Sequence, residues 1–306
     1  VFLTRPAPST TDWRPHVAER TIQPITAQPD PKVPVRIIFL GGLGEIGRNC
    51  MVIEQGAADD PDRTMMLIDC GLMFPDANHH GIDLILPDFT YLKDNAKRIK
   101  AIVLTHGHED HIGAIQYLMR EGDGIGDLRT EKLPVYGSAL ALGLAKNRIE
   151  EAGLMPKIDM RPVKDSQQIE IGTLLVEFIP VTHSVPHAHA IAVHTAQGVV
   201  LHSGDFKIDL TPVDERRADL ARIGQLSKNE GIRLLMSDST NAEEPGYASS
   251  EINVGGVLRG LFAQQRGRRI ITASFASLSA SALPLMSRLP FTVTLARPST
   301  FVKAAL

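Results

Sequence analysis

Between Val103 and Gly113 the chain reads Val-Leu-Thr-His-Gly-His-Glu-Asp-His-Ile-Gly, which places His106, His108, Glu109, Asp110 and His111 within six residues. Imidazole nitrogens and carboxylate oxygens are the donors that Zn²⁺ and Mn²⁺ accept. The two-residue spacing of His106 and His108 lets an extended backbone direct both rings to the same side. Asp110 and His111 lie past the bend and can face a second centre, and an aspartate can bridge two ions. A solvated polar loop explains one histidine, but not five donor-type residues at this density. His183 follows the apolar run Leu174–Ile179, and Asp205 follows Val199–His202. Each is a donor at the end of an apolar run, as His106 is, and α/β folds gather reactive groups at strand ends. His187, His189, His194 and His202 follow strand alternation instead and are expected to support or flank a site. His79 and His80 lie in a polar loop and are expected to be solvated.

The elements that must position these groups are legible as short apolar runs. Strands are expected at Val35–Leu40, Cys50–Glu54, Met65–Asp69, Ala101–Thr105, Leu133–Tyr136, Leu174–Ile179, Ala190–His194, Val199–His202, Leu234–Met236 and Arg269–Ala273. Helical spacing occurs at Ala114–Arg120, Leu140–Ala152, Leu220–Leu226 and Glu251–Gln265, the last with Val254, Val257, Leu258 and Leu261 as an apolar stripe. Early strands follow one another closely and later ones are expected to be separated by helices. The expected fold is therefore an α/β or α+β sandwich, large sheets with helices outside. Gly42-Leu43-Gly44-Glu45-Ile46-Gly47 matches a dinucleotide-binding fingerprint, but that fingerprint must open a helix. Here Cys50–Glu54 reads as a strand, so a glycine-rich hairpin is expected instead.

The chain has 306 residues, 43% of them hydrophobic, enough for one large domain or two moderate ones. A formal net charge of −3 argues against attachment to nucleic acid through bulk positive charge, and aromatics at 5% offer no visible stacking platform. Two cysteines, Cys50 and Cys70, allow neither a disulfide scaffold nor a cysteine-ligated zinc site. No apolar run approaches the ~18 residues of a membrane span and no signal peptide is legible, so a cytoplasmic protein without membrane contact is expected. Residues 1–34 hold seven prolines and no apolar period, which reads as a disordered arm. Leu278–Leu306 has no Asp or Glu and three prolines, an atypical tail.

His106-Gly107-His108-Glu109-Asp110-His111 resembles the H-x-H-x-D-H signature of the metallo-β-lactamase fold, with Asp69, His183 and Asp205 similar to its other motifs. Gly41–Gly47, Asp69–Pro75, Ser203–Asp209 and Ser237–Ala242 narrow the resemblance to the ribonuclease J family, of the β-CASP branch. The resemblance runs from about Val35 to about Ser277. It implies an αββα sandwich over residues 35–230 and the start of a β-CASP domain over 231–277. It implies two divalent ions, Zn²⁺ first with Mn²⁺ or Mg²⁺ as alternatives, and RNA as substrate, cleaved 5′ to 3′ and internally. Dimers or tetramers are the implied assembly. By the same resemblance His106, His108 and His183 hold one ion, Asp110 and His111 the other, and Asp205 bridges them. Asp110, His111 and Asp205 are thus the expected catalytic groups, with Asp69 orienting a ligand and Asp238 matching an acidic β-CASP motif.

The family continues beyond this length and supplies further histidines there, whereas no histidine follows Ser277. An incomplete or frame-shifted chain, with the change after Ala276-Ser277, is the resulting expectation, and with it an incomplete sandwich and weak or absent activity alone. Two other readings stand beside the ribonuclease: a small-molecule hydrolase of the same superfamily, such as a thioesterase or lactonase, and a non-catalytic metal-binding fragment. Continuation of β-CASP-like sequence through Leu234–Ala276 favours the first.

Overall fold

The computed structural model describes residues 30–265 apart from 31, 58 and 62. Most of the proline-rich arm, the strand expected at Arg269–Ala273, the change at Ala276-Ser277 and the tail lie outside the described residues.

Two sheets stack face to face. The first has six strands in sequence order: β1 (Val35–Gly41), β2 (Cys50–Gln55), β3 (Thr64–Ile68), β4 (Ile99–Val103), β5 (Leu133–Gly137) and β6 (Ile158–Pro162). The first three pair antiparallel, and β3 to β6 pair parallel. The second sheet contains β7 (Gln168–Ile171), β8 (Leu174–Pro180), β9 (His189–Thr195), β10 (Gly198–His202) and β11 (Ile232–Met236). It is antiparallel except for the parallel β10–β11 pair. The helices are α1 (Thr90–Asp94), α2 (Glu109–Ile112), α3 (Ile115–Leu118), α4 (Ala139–Glu151), α5 (Leu220–Asn229) and α6 (Ile252–Gln264).

Strand alternation sorts the apolar side chains into layers. On β2, Val52 faces the helices while Met51 and Ile53 face the second sheet. On β4, Ile102 packs toward Ile115, Leu118 and Ile149, while Ala101 and Val103 meet Val176, Phe178 and Val193 between the sheets. The far face of the second sheet carries Ile179, Ala190, Ala192 and Leu201, covered by Leu226 of α5. The result is a helix–sheet–sheet–helix sandwich. Runs such as Cys50–Gln55 are buried throughout because both their faces are covered. Among the described residues no helix is long and apolar enough to cross a membrane.

Several elements differ from the expectation. β6 and β7 were not foreseen, because these edge strands, Ile-Asp-Met-Arg-Pro and Gln-Ile-Glu-Ile, alternate with polar residues. The second sheet's first four strands are not separated by helices; tight turns at Gly172 and at Gln197 join β7 to β8 and β9 to β10, and a loop over residues 181–188 joins β8 to β9, with Gly172 in the left-handed region at φ 58°. The glycine-rich segment is a loop between antiparallel β1 and β2, without a helix. The α6 stripe is not buried among the described residues: Val254 and Val257 remain more than half exposed.

Candidate metal centre

The carboxyl ends of β4, β8 and β10 lie along one edge of the sandwich. Beyond β4, the Leu104 N–H still bonds Tyr136 O at 2.8 Å. The Thr105 N–H then turns to Asp69 Oδ1, also at 2.8 Å, and His106 enters the edge fully buried. His108 keeps extended backbone (φ −71°, ψ 152°) immediately before α2, whose first turn carries Asp110 and His111. That helix is fastened to the stretch after β3, where Cys70 N–H bonds His111 O at 2.8 Å and Ala114 N–H bonds Cys70 O at 2.9 Å, and to the residue before β2, where Asn49 N–H bonds Asp110 O at 2.9 Å. Gly71 is required there, since a Cβ would stand 1.5 Å from Asp110 O. The Asp205 turn needs Gly204 at φ 58°, and His202 braces it by accepting the Gly204 N–H at Nδ1 (2.9 Å).

His106, His108, His183 and Asp205 converge, with one donor atom from each lying within 4.8 Å of the others. His108 Nδ1 is 3.0 Å from His106 Nε2 and 3.2 Å from His183 Nε2. Asp205 Oδ2 stands 3.8 Å from His106 Nε2 and 3.7 Å from His183 Nε2. Nitrogens bound at ~2.0–2.1 Å to a tetrahedral ion are about 3.3 Å apart, so the spacing fits one ion. A single proton on His108 Nδ1 can serve only one of its two ring neighbours, whereas a shared cation serves all three. Burial pushes the His106 imidazole well below the ordinary histidine range, reinforced by the neighbouring histidines. Burial likewise lowers His108 and His183, keeping them neutral donors. For Asp205 burial works the other way, but the bond to His111 and the surrounding imidazoles outweigh it and favour the carboxylate.

Asp205 turns its other oxygen to a neighbouring group. Oδ1 is 3.4 Å from His111 Nε2, which is 3.6 Å from Asp110 Oδ2. Behind the ring, His111 Nδ1 donates to Asp69 Oδ2 at 2.7 Å, and Thr105 Oγ1 donates to the same oxygen at 2.8 Å. A carboxylate at Nδ1 fixes that proton and aims Nε2 into the site, where a bound ion would take the place of the second proton. Burial opposes charge on His111, yet Asp69 and Asp205 outweigh it and raise the imidazole well above its ordinary range. Asp69 is held in the left-handed region at φ 59°, a backbone cost of ~1–3 kcal/mol that these bonds offset.

Two groups were not foreseen. Asn49 Nδ2 lies 3.1 Å from His111 Nε2 and 3.3 Å from Asp110 Oδ2. Thr105 supports Asp69 as described. Neither has a sequence signal beyond its place beside a strand end. Of the remaining histidines, His189 is buried against Asp165 (2.9 Å), His194 meets Glu230 (3.0 Å) and His79 pairs with Asp76 at the surface. Asp238 caps its own turn, accepting from the Thr240 N–H at 2.9 Å, and its N–H donates to Ser203 Oγ at 2.8 Å. Cys50 and Cys70 are both free and buried.

The sequence model of the metallo-beta-lactamase superfamily matches residues 43–236. Ribonuclease J from Synechocystis sp. is 42% identical over 245 residues, covering 79% of this chain and 36% of that protein. Ribonuclease J from Mycolicibacterium smegmatis is 40% identical over 253 residues, covering 82% of this chain and 42% of that protein. The chain thus spans about two-fifths of the length of these curated relatives. A crystal structure of a protein of unknown function from Enterococcus faecalis V583 superposes with a TM-score of 0.55 at 19% identity, over 79% of this chain and 60% of that one. That likeness concerns the fold alone.

Proposed function

Because this chain belongs to the metallo-β-lactamase superfamily, and within it to the ribonuclease J family, we propose that it serves metal-dependent hydrolysis of RNA phosphodiester bonds. The observation that carries the reading is the meeting of His106, His108, His183 and Asp205 at three strand ends, beside Asp110 and His111. RNA as substrate rests on the ribonuclease J relatives. In this proposal the metallo-β-lactamase domain, expected over residues 35–230, runs on through β11 to Met236, and the residues after it up to 277 begin a β-CASP domain. Cytoplasmic action and assembly as dimers or tetramers belong to the same proposal.

His106, His108 and His183 would hold one divalent ion, Asp110 and His111 a second, and Asp205 both. Zn²⁺ is the first candidate, with Mn²⁺ and Mg²⁺ as alternatives. Bound there, such ions polarise a phosphate and acidify a water. The protein's part is to present ligands in the right protonation state. Burial keeps three imidazoles neutral, Asp69 keeps the His111 proton on Nδ1, and Thr105 fixes Asp69. Asp205 adds the negative charge that favours a dication over a proton.

The test is a timed digestion of 5′-monophosphorylated RNA with added Mn²⁺ or Zn²⁺, beside an Asp110→Ala, His111→Ala double variant. Slow nucleotide release that the double variant abolishes is expected, in keeping with the weak activity expected of this chain alone. Intact RNA together with hydrolysis of a thioester or lactone would overturn the substrate and favour a small-molecule hydrolase. A chain that retains no ion and cleaves nothing would overturn the metal centre.

A further inference from the structure

His183 is carried by a short loop that leaves β8 at Pro180 and returns at His189, the start of β9. One side chain from elsewhere grips both stems of that loop. Arg216, on the segment following β10, donates from Nη1 to Val181 O at 2.8 Å and from Nη2 to Ala188 O at 2.8 Å. The same guanidinium pairs side-on with Asp165, Nε to Oδ2 at 2.9 Å and Nη2 to Oδ1 at 2.8 Å. Asp165 Oδ1 also accepts from His189 Nε2 at 2.9 Å, closing the cluster on the first residue of β9. The loop is further tied to the Asp205 segment, because the Lys207 N–H bonds Thr182 O at 2.8 Å. Four of the five N–H donors of a planar fork are therefore engaged, two on the stems of one loop and two on the carboxylate that holds His189, a pattern that a lysine's point charge cannot reproduce.

We propose that Arg216 is a positioning residue for the metal centre. By clamping Val181 to Ala188 it holds His183 Nε2 at its 3.2 Å approach to His108 Nδ1 and near Asp205, and so sets the ion affinity of that group. The proposal rests on the metal-centre reading above. Asp165 acts one step further back by fixing the guanidinium plane. The role differs from general stiffening in that it acts through His183 alone.

The test is a thermodynamic cycle on the 306-residue chain with Arg216→Gln, His183→Ala and the double variant. Zn²⁺ affinity is read by competition with a chromophoric chelator, and the site geometry by the visible spectrum of the Co²⁺-loaded protein. Arg216→Gln is expected to weaken binding about 10- to 100-fold, the range for groups that orient a ligand from behind. It should also change the Co²⁺ spectrum. In the His183→Ala background the same substitution should change affinity less than about threefold. Arg216→Lys keeps the charge beside Asp165, and with it the fold, but cannot hold both carbonyls; it should bind as weakly as Arg216→Gln. Wild-type affinity in both Arg216 variants, or an equal loss with and without His183, would overturn the proposal. Should His183→Ala bind Zn²⁺ as tightly as the wild type, the metal-centre reading itself falls, a result distinct from either of those.

Discussion

Asp69→Asn isolates the contribution of the carboxylate behind His111. The native oxygens accept three donors, the Thr105 N–H at 2.8 Å, the Thr105 hydroxyl at 2.8 Å and His111 Nδ1 at 2.7 Å. An asparagine of the same shape can keep its carbonyl on the Thr105 N–H, and the Thr105 hydroxyl can reverse to accept. The amide then meets His111 Nδ1 with a donor, so the imidazole can keep only the proton on Nε2, the atom facing Asp110 and Asp205, where it competes with an ion. A lost hydrogen bond between a carboxylate and an imidazole is worth about 1.5–3 kcal/mol. At ~1.4 kcal/mol per factor of ten this predicts an ion held about 10- to 100-fold more weakly on the Asp110–His111 side. The fold should survive, because the substitution buries a neutral amide in place of a charge. Metal content after dialysis, titration with Zn²⁺ or Mn²⁺ and thermal unfolding would be measured together. An Asp69→Asn protein that binds both ions within threefold of the wild type would refute the tautomer argument.

Gly71→Ala places a methyl 1.5 Å from Asp110 O, a backbone atom that cannot turn aside. It should destabilise the fold by about 2–4 kcal/mol and loosen α2, seen as a lower denaturant midpoint and a lost ion; an unchanged midpoint would contradict the packing described here. Phe178→Ala empties the centre of the layer between the sheets, where Phe178 is fully buried, and should cost about 3–5 kcal/mol in urea unfolding. Glu177 supplies a pH prediction remote from the site. Burial raises its carboxyl, but Arg222 Nε and Nη2, at 2.7 and 2.8 Å, together with His194, outweigh that and lower it from 4.5 to about 2. A depressed carboxyl stabilises above its unfolded value and ceases to as pH falls through the folded one. About 2 kcal/mol, after allowance for solvent screening, should therefore disappear between about pH 4.5 and pH 2. Glu177→Gln should flatten that part of the stability profile, and an identical acid profile in the variant would refute the assignment.

The donors of the candidate site were legible because their residue types are rarely grouped by chance and because each ends an apolar run. Fully covered strands were legible for a related reason: Cys50–Gln55 and Leu174–Pro180 are nearly continuous apolar stretches. The edge strands Ile158–Pro162 and Gln168–Ile171 were not, since an edge shares its surface with water and needs few apolar side chains. Short α2 was hidden because its first turn is made of the site residues themselves, with polarity set by chemistry rather than by a helical period.

By itself the sequence determined the inventory, namely three histidines and two carboxylates in one segment, a histidine and an aspartate at two later strand ends, and apolar runs long enough to cover both faces of a sheet. Only the tertiary structure decided which of these meet. His106 and His183 are 77 positions apart in the chain, yet their ring centroids stand 4.7 Å apart because β4 and β8 end on the same edge of stacked sheets. Asp69, Asn49 and Thr105 join the site, and Arg216 reaches the His183 loop, through a few hydrogen bonds across the fold, and such bonds leave no periodicity in a chain. Periodicity records burial, which many residues share. Orientation is set by pairs, and a pair exists only once the sheets have packed.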